Sequence, residues 1–132
     1  MSYLLDTHTF LWALLDRKQL SAAVSHVLED ASQQVFVSSV SFWEISLKYR
    51  LGKLDLTGVS PDQLPLLAQE SGFDFLPLTP AESSSYHLLA EEWHRDPFDR
   101  MLIRQAIIHN LTLLSKDKTI LQYRTAGLKQ MW

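Results

Sequence analysis

The spacing of hydrophobic residues predicts short strands that alternate with helices along the chain. The strand-like segments lie at residues 3–5, 34–38, 73–78, 112–115 and 128–132. Between them, apolar residues recur at helical spacing at residues 7–15, 21–30, 41–51, 61–72 and 97–109. Strands separated by helices favour a parallel sheet covered on both faces. The predicted fold class is therefore α/β, a three-layer α/β/α sandwich with a central, mainly parallel sheet.

Capping residues mark where several of these helices begin. Ser60, Thr79 and Asp96 each precede a proline, which is favoured at the first helical position. Gln63 and Glu82 follow Ser60 and Thr79 by three residues and complete a capping box in each case. We therefore expect helices to begin at residues 61, 80 and 97.

Composition places the chain among globular proteins with one modest hydrophobic core. Of its 132 residues, 46% are hydrophobic and 20% are charged, so we expect a single domain spanning residues 1–132. No apolar stretch approaches the roughly 20 residues of a membrane-spanning helix, and the first ten residues lack the basic region of a signal peptide. With no cysteine, disulfides and thiolate metal ligands are excluded. A cytoplasmic protein is expected.

Four acidic residues fall near the ends of predicted strands. Asp6 and Asp117 follow the first and fourth strands, and Glu44 and Asp99 lie in the first turns of the adjoining helices. Because ligands of parallel α/β sheets bind at the carboxyl ends of the strands, we expect these carboxylates to converge at one edge. They would repel one another unless a hard cation such as Mg²⁺ or Mn²⁺ compensated their charge. Such a cation also reconciles a net charge of −3 with a phosphate-containing substrate.

Each carboxylate also has a purely structural interpretation. Asp6 could end a strand in a turn, and Asp117 could cap a short helix over residues 118–123. Glu44 follows Ser41 at capping-box spacing and precedes Lys48 at ion-pair spacing. No single acid identifies a site, and the metal-site hypothesis depends on their shared location.

Two aspartates compete for one position at the start of the last long helix. Asp96 precedes Pro97 and has the pattern of a helix N-cap. Asp99 shares a helix face with Ile103 and Ala106, so it points toward buried surface, where a carboxylate needs a partner. Asp99 is the expected ligand, although helical spacing alone leaves the choice between the two open.

Other kinds of chemistry lack their sequence patterns. The four glycines form neither G-x-G-x-x-G nor a phosphate-binding loop, and the five histidines form no HExxH pair. His8 is the one histidine expected beside the acidic edge, and the others are expected on the surface or in helix packing. The four tryptophans are more typical of core or interface positions than of platforms for nucleobases.

Several stretches of the chain resemble a VapC-type subgroup of the PIN-domain family. They are YLLDTHTFLWALL near the start, VSSVSFWEISLKYRLGKL in the middle, and HRDPFDRMLIRQA followed by LTLLSKD. Their order and spacing are similar to the family from end to end, including the terminal tryptophan. Carried over position by position, the acidic residues of the family fall on Asp6, Glu44, Asp99 and Asp117.

The resemblance implies a metal-dependent endoribonuclease with a PIN-like fold. One or two Mg²⁺ or Mn²⁺ ions would be bound directly by Asp6 and Asp99, and directly or through water by Glu44 and Asp117. Water activated by the metal would hydrolyse RNA phosphodiester bonds and leave 5′-phosphate and 3′-hydroxyl ends. Basic residues near the site are candidates to steer the RNA backbone, namely Lys48, Arg95, Arg100 and Lys116.

The resemblance also implies protein partners. A VapB-type antitoxin would insert into the site and inhibit it, and the toxin would form a homodimer, with no contact to a membrane. Two other functions stay open: a catalytically inactive PIN-like binding module whose acids serve as helix caps, and a metal-dependent nuclease that acts on DNA. Metal titration distinguishes the inactive binding module from the metal-dependent ribonuclease, and a comparison of RNA with DNA cleavage distinguishes the DNA nuclease from it.

Overall fold

A five-stranded parallel sheet forms the centre of the protein in a computed structural model that describes residues 1–132. Its strands are β1 (Ser2–Leu5), β2 (Gln34–Ser38), β3 (Asp74–Leu76), β4 (Thr112–Leu114) and β5 (Lys129–Met131). They are arranged in the order β3-β2-β1-β4-β5, and every neighbouring pair is parallel. The predicted α/β fold class is confirmed, with a sheet that is parallel throughout.

Six α-helices cover the sheet and begin near the residues that the capping patterns indicate. They are α1 (Thr7–Leu15), α2 (Ala22–Glu29), α3 (Ser39–Arg50), α4 (Leu64–Glu70), α5 (Pro80–Ser84) and α6 (Pro97–Ile108). Short 3₁₀ helices occupy Arg17–Gln19, Pro61–Gln63, Tyr86–Leu88 and Lys118–Ala126. No helix has both the length and the apolar character needed to cross a membrane.

Helix α3 begins two residues earlier than predicted. The Ser38 hydroxyl accepts a hydrogen bond from the backbone N–H of Val40 at 3.0 Å, so Ser38 is the N-cap. The predicted capping box between Ser41 and Glu44 is wrong, because both residues lie inside the helix. The third strand is also shorter than the predicted residues 73–78, since its ladder with β2 involves residues 74–76.

The two faces of the sheet are buried in separate apolar clusters. In the central strand, Leu5 belongs to one cluster together with Phe10 of α1. Leu4 belongs to the other cluster together with Leu102 of α6. Successive strand residues point to opposite faces, so helices on both sides are needed to cover them.

A buried polar network fixes α5 and α6 against the end of β2. Gln105 accepts a hydrogen bond from the Ser38 hydroxyl at 2.5 Å and donates to Glu82 at 3.1 Å. Nε2 of His109 lies 2.9 Å from the same carboxylate. Burial opposes ionisation of Glu82, but hydrogen bonds from Thr79, His109 and Gln105 outweigh it and lower its pKa to about 2. The network thereby ties α6 to β2.

Candidate active site

Two of the predicted acids cap helices at the carboxyl edge of the sheet. Asp6 follows β1 and is the N-cap of α1, where it accepts a hydrogen bond from the backbone N–H of Thr9 at 2.8 Å. Asp117 lies beyond β4, caps the 3₁₀ helix Lys118–Ala126, and accepts from the backbone N–H of Thr119 at 2.9 Å. A cap of this kind engages one carboxylate oxygen and leaves the second for another partner. Capping and ligand binding are therefore compatible at both positions.

Burial disfavours ionisation of Asp6 and Asp99, and neighbouring negative charges add to this effect at Asp99. Burial raises the pKa of Asp6, although hydrogen bonds, the strongest from Ser115, oppose the shift. Burial, followed by the charges of Asp96 and Glu44, raises the pKa of Asp99 to about 7. A carboxyl group with this pKa is only partly ionised at neutral pH. A cation bound beside Asp99 would therefore favour its ionised form.

Glu44 is buried beside this cluster and is held by polar neighbours. It is 2% exposed, and Thr7 donates a hydrogen bond to one carboxylate oxygen at 2.6 Å. Lys48 forms an ion pair with the other oxygen, as its spacing indicated. The negative charge of Glu44 nevertheless contributes to the raised pKa of Asp99.

His94 joins the acidic cluster, and sequence reasoning missed it. Its Nε2 lies 2.9 Å from Asp117 and 3.2 Å from Asp99. The backbone N–H of Asp96 donates to Nδ1 at 3.2 Å, so the hydrogen of the ring is on Nε2 and points at the carboxylates. The expectation that His8 is the one histidine beside the site is therefore wrong. The sequence did offer one indication of this position: His94 precedes the N-cap Asp96 by two residues, so it must lie near the start of α6, beside Asp99.

The two carboxylates that His94 contacts respond differently to their surroundings. Burial opposes ionisation of Asp117, but hydrogen bonds from the backbone of Thr119 and from His94 outweigh it and lower its pKa. Asp99 has a raised pKa because burial and neighbouring acids dominate there. Asp117 is thus already stabilised as an anion, whereas Asp99 is not.

Arg100 faces the protein interior, which corrects its expected role in steering RNA. Its guanidinium donates hydrogen bonds to the carbonyl oxygens of Leu89, Glu91 and His94 and to the hydroxyl of Tyr123. The side chain is 7% exposed and is unavailable to a substrate in this arrangement. Arg100 instead fixes the segment that carries His94 into the site.

A cavity of about 350 Å³ opens at this edge of the sheet and brings three of the four predicted acids together. Its lining consists of Asp6, His8, Trp12, Asp99, Lys116 and Asp117. Nε2 of His94 and carboxylate oxygens of Asp99 and Asp117 lie within 4.8 Å of one another, so the two carboxylates are close enough for one cation to bind both. The oxygen-rich donor set fits Mg²⁺ or Mn²⁺. Glu44 does not line the cavity.

The fold and the site together define a class: three-layer α/β proteins that carry a cation-binding acidic cavity at the carboxyl edge of a parallel sheet. The family model described as PIN domain matches residues 3–128. The chain belongs to the PIN domain family.

Known proteins are similar to this chain over nearly its whole length. Ribonuclease VapC22 of Mycobacterium tuberculosis is 26% identical over 129 residues, which cover 98% of this chain and 97% of that protein. A solved structure of VapBC2 from Rickettsia felis bound to a promoter DNA fragment has a TM-score of 0.67 at 17% identity and covers 99% of this chain and 98% of that one. The structure of FitAcB from Neisseria gonorrhoeae has a TM-score of 0.63 at 21% identity, and the match covers 100% of this chain and 97% of that one.

Replacing Asp96 should affect stability more than chemistry. Its carboxylate accepts hydrogen bonds from the backbone N–H groups of Phe98 and Asp99, as an N-cap does. We expect Asp96→Ala to lower the free energy of unfolding by about 0.5–2 kcal/mol, with activity reduced only indirectly. Thermal melting and nuclease assays on the purified variant test this. An inactive variant with an unchanged melting temperature would mean that Asp96 is itself a ligand.

Replacing Asp99 should have the opposite effect. Its pKa is raised from 3.8 to about 7 by folding, so wild-type stability falls as pH rises between these values, and the cost is fully present above pH 7. In excess chelator, Asp99→Asn should therefore be at least as stable as wild type, with an advantage that grows from pH 4 to pH 8. Its nuclease activity should fall on the order of 100-fold or more. A variant that is less stable than wild type at pH 8 contradicts this assignment.

Proposed function

We propose that this protein is a metal-dependent endoribonuclease of the VapC type that hydrolyses RNA phosphodiester bonds with water as the nucleophile. The observation that carries the proposal is the cavity in which Asp6, Asp99 and Asp117 meet, with Asp99 held at a pKa of about 7. The name of the relative, Ribonuclease VapC22, supports RNA as the substrate class. We expect the protein to act in the cytoplasm, where RNA is accessible.

Asp6 and Asp99 are the proposed direct ligands, and Asp117 is a ligand that binds directly or through water. Glu44, which does not line the cavity and is paired with Lys48, would act only through water or through its charge. When bound, Mg²⁺ or Mn²⁺ supplies Lewis-acid chemistry, which activates water and offsets charge on the phosphorane. The products then carry 5′-phosphate and 3′-hydroxyl ends. Lys116, exposed at the cavity, is suited to hold a phosphate, whereas Lys48 is engaged by Glu44.

His94 has a positioning role in this proposal rather than a ligand role. Its Nε2–H donates toward Asp99 and Asp117 and keeps the two carboxylates close together. While the backbone N–H of Asp96 donates to Nδ1, Nε2 carries the ring hydrogen and has no lone pair for a cation. The histidine therefore orients the carboxylates on which a cation would bind.

Metal dependence is the first test of the function. A cation that binds the native acidic cluster relieves its repulsion, so Mg²⁺ or Mn²⁺ should raise the melting temperature of wild type. The rise should be much smaller for Asp6→Asn, which removes one proposed ligand. Chelation should abolish cleavage of a single-stranded RNA while the circular dichroism spectrum stays native. Full cleavage in excess chelator would contradict the mechanism, and equal cleavage of DNA of the same sequence would contradict the substrate class.

We further propose that a VapB-type antitoxin covers the cavity and that the toxin forms a homodimer. The similar structures named VapBC2 and FitAcB support a paired partner. The feature of this chain that fits such a partner is the acidic cavity, because an arginine or lysine from the partner can form charge-assisted hydrogen bonds with its carboxylates.

A partner encoded beside this protein should inhibit it through that cation. Co-expression with the small protein of the neighbouring reading frame should yield a complex with little RNA cleavage. Replacing the arginines and lysines of the partner's C-terminal segment by alanine, one at a time, should restore cleavage for at least one residue without dissolving the complex. A complex that stays fully active, or inhibition that survives every replacement, contradicts insertion into the acidic cavity.

A further inference from the structure

Two cavities meet at the exposed face of α1, and two residues of this helix line both of them. The first is the acidic cavity, which His8 and Trp12 share with the carboxylates. The second has a volume of about 440 Å³, and the same two side chains line it together with Leu15, Leu54 and Leu56. His8 and Trp12 therefore form part of the wall of both cavities, and the second cavity is a recess that Asp16 and Asp55 line as well as the leucines.

The ring of Trp12 is supported on one side and reachable on another. Trp132 packs against it edge-on, with ring centroids 5.9 Å apart. The ammonium of Lys116 lies over the ring, 6.0 Å from its centroid, and Lys116 also lines the acidic cavity. The residue is partly exposed, one helical turn after the exposed His8. Part of the indole is therefore exposed at the acidic cavity, beside the ammonium of Lys116.

We propose that Trp12, flanked by His8, is a stacking platform for the nucleobase next to the scissile phosphate of single-stranded RNA. This inference rests on the proposed ribonuclease function and adds a base-binding subsite to it. Single-stranded nucleic acids are bound by combining aromatic faces for the bases with positive charge for the backbone. Trp12 and Lys116 supply both beside the proposed cleavage site. This proposal assigns Trp12 a function other than the core or interface position expected from the sequence.

Geometry favours RNA over a protein segment as the occupant of this platform. The platform is continuous with the cavity where a phosphodiester would be cleaved, and base and phosphate of one nucleotide are joined by a short sugar linkage. The ammonium of Lys116 lies over the ring, and Lys116 also lines the acidic cavity, so it can pair with a backbone phosphate there. A base that stacks on Trp12 would extend toward the recess lined by Leu54 and Leu56.

The experiment couples changes in the protein to changes in the RNA. A single-stranded oligoribonucleotide that wild type cleaves at one mapped bond is compared with versions in which the base on the 5′ or 3′ side of that bond is abasic. Wild type should lose about 5- to 150-fold in kcat/KM at one of these two positions, the range expected for one base stacked on an aromatic ring. On intact RNA, Trp12→Leu should lower kcat/KM by a similar factor. On the abasic RNA to which wild type responds, its kcat/KM should be no lower than on intact RNA. Trp12→Phe should lose less.

Binding provides a readout that does not depend on the cation. In excess chelator, the anisotropy of fluorescein-labelled intact RNA should show weaker binding to Trp12→Leu than to wild type, and the difference should disappear with the abasic RNA. The matched control is Phe75→Leu, which replaces an exposed aromatic residue of β3 that lines neither cavity and does not pack against Trp12. This control should respond to the abasic RNA as wild type does.

Several outcomes would overturn the proposal. If wild type is insensitive to both abasic positions, no base is bound there, and this result needs no variant to fold. If the losses from Trp12→Leu and from the abasic site multiply, the ring acts through structure rather than by stacking. If Trp12→Leu cleaves intact RNA normally, the ring belongs to a protein contact. Wild type that cleaves no RNA would instead contradict the proposed function itself, so the two failures are distinguishable.

Discussion

Carboxylates that cannot all ionise without a counter-charge are the constraint on which this site depends. Asp99 is half-buried on α6, and this burial, followed by the charges of Asp96 and Glu44, raises its pKa to about 7. Such a group lowers the stability of the cation-free protein at neutral pH, because the unfolded chain ionises it freely. The apolar cluster that includes Leu102 on the same helix keeps Asp99 in this position despite the cost.

Counter-charges and hydrogen bonds are distributed unevenly over the acidic residues. Glu44 is paired with Lys48, and Asp117 accepts hydrogen bonds from Thr119 and His94. The pKa of Asp99, in contrast, stays raised although His94 lies 3.2 Å away. Asp99, like the buried Asp6, whose pKa is also raised, is therefore a position where a divalent cation or a cationic side chain of a partner would stabilise the ionised carboxylate. The proposed metal binding and the proposed inhibition by a partner would thus have one electrostatic cause.

Local sequence patterns succeeded where a short-range rule decides the structure. Asp96 and Asp117 were each recognised as possible helix caps, and each accepts a backbone N–H in the structure. Asp6, interpreted from the sequence as the end of a strand in a turn, is also an N-cap. The same rule failed for Ser41, because Ser38 offers an earlier hydroxyl at the end of β2 and begins the helix there. Capping patterns therefore predict the region in which a helix begins, but competition between nearby serines decides which residue is the N-cap.

The sequence by itself determined the parallel α/β fold and the approach of the acids to one sheet edge, because strand and helix periodicities are local and parallel strands share their carboxyl ends. Tertiary structure alone decided the roles of His94, Arg100 and Trp12. The position of His94 depends on a loop that Arg100 holds, because the Arg100 guanidinium donates hydrogen bonds to carbonyl groups up to eleven residues away. Trp12 became part of the cavity because helix α1 packs beside Lys116, which lies more than a hundred residues later in the chain. Contacts of this range depend on how loops close over the sheet, and no periodicity records them.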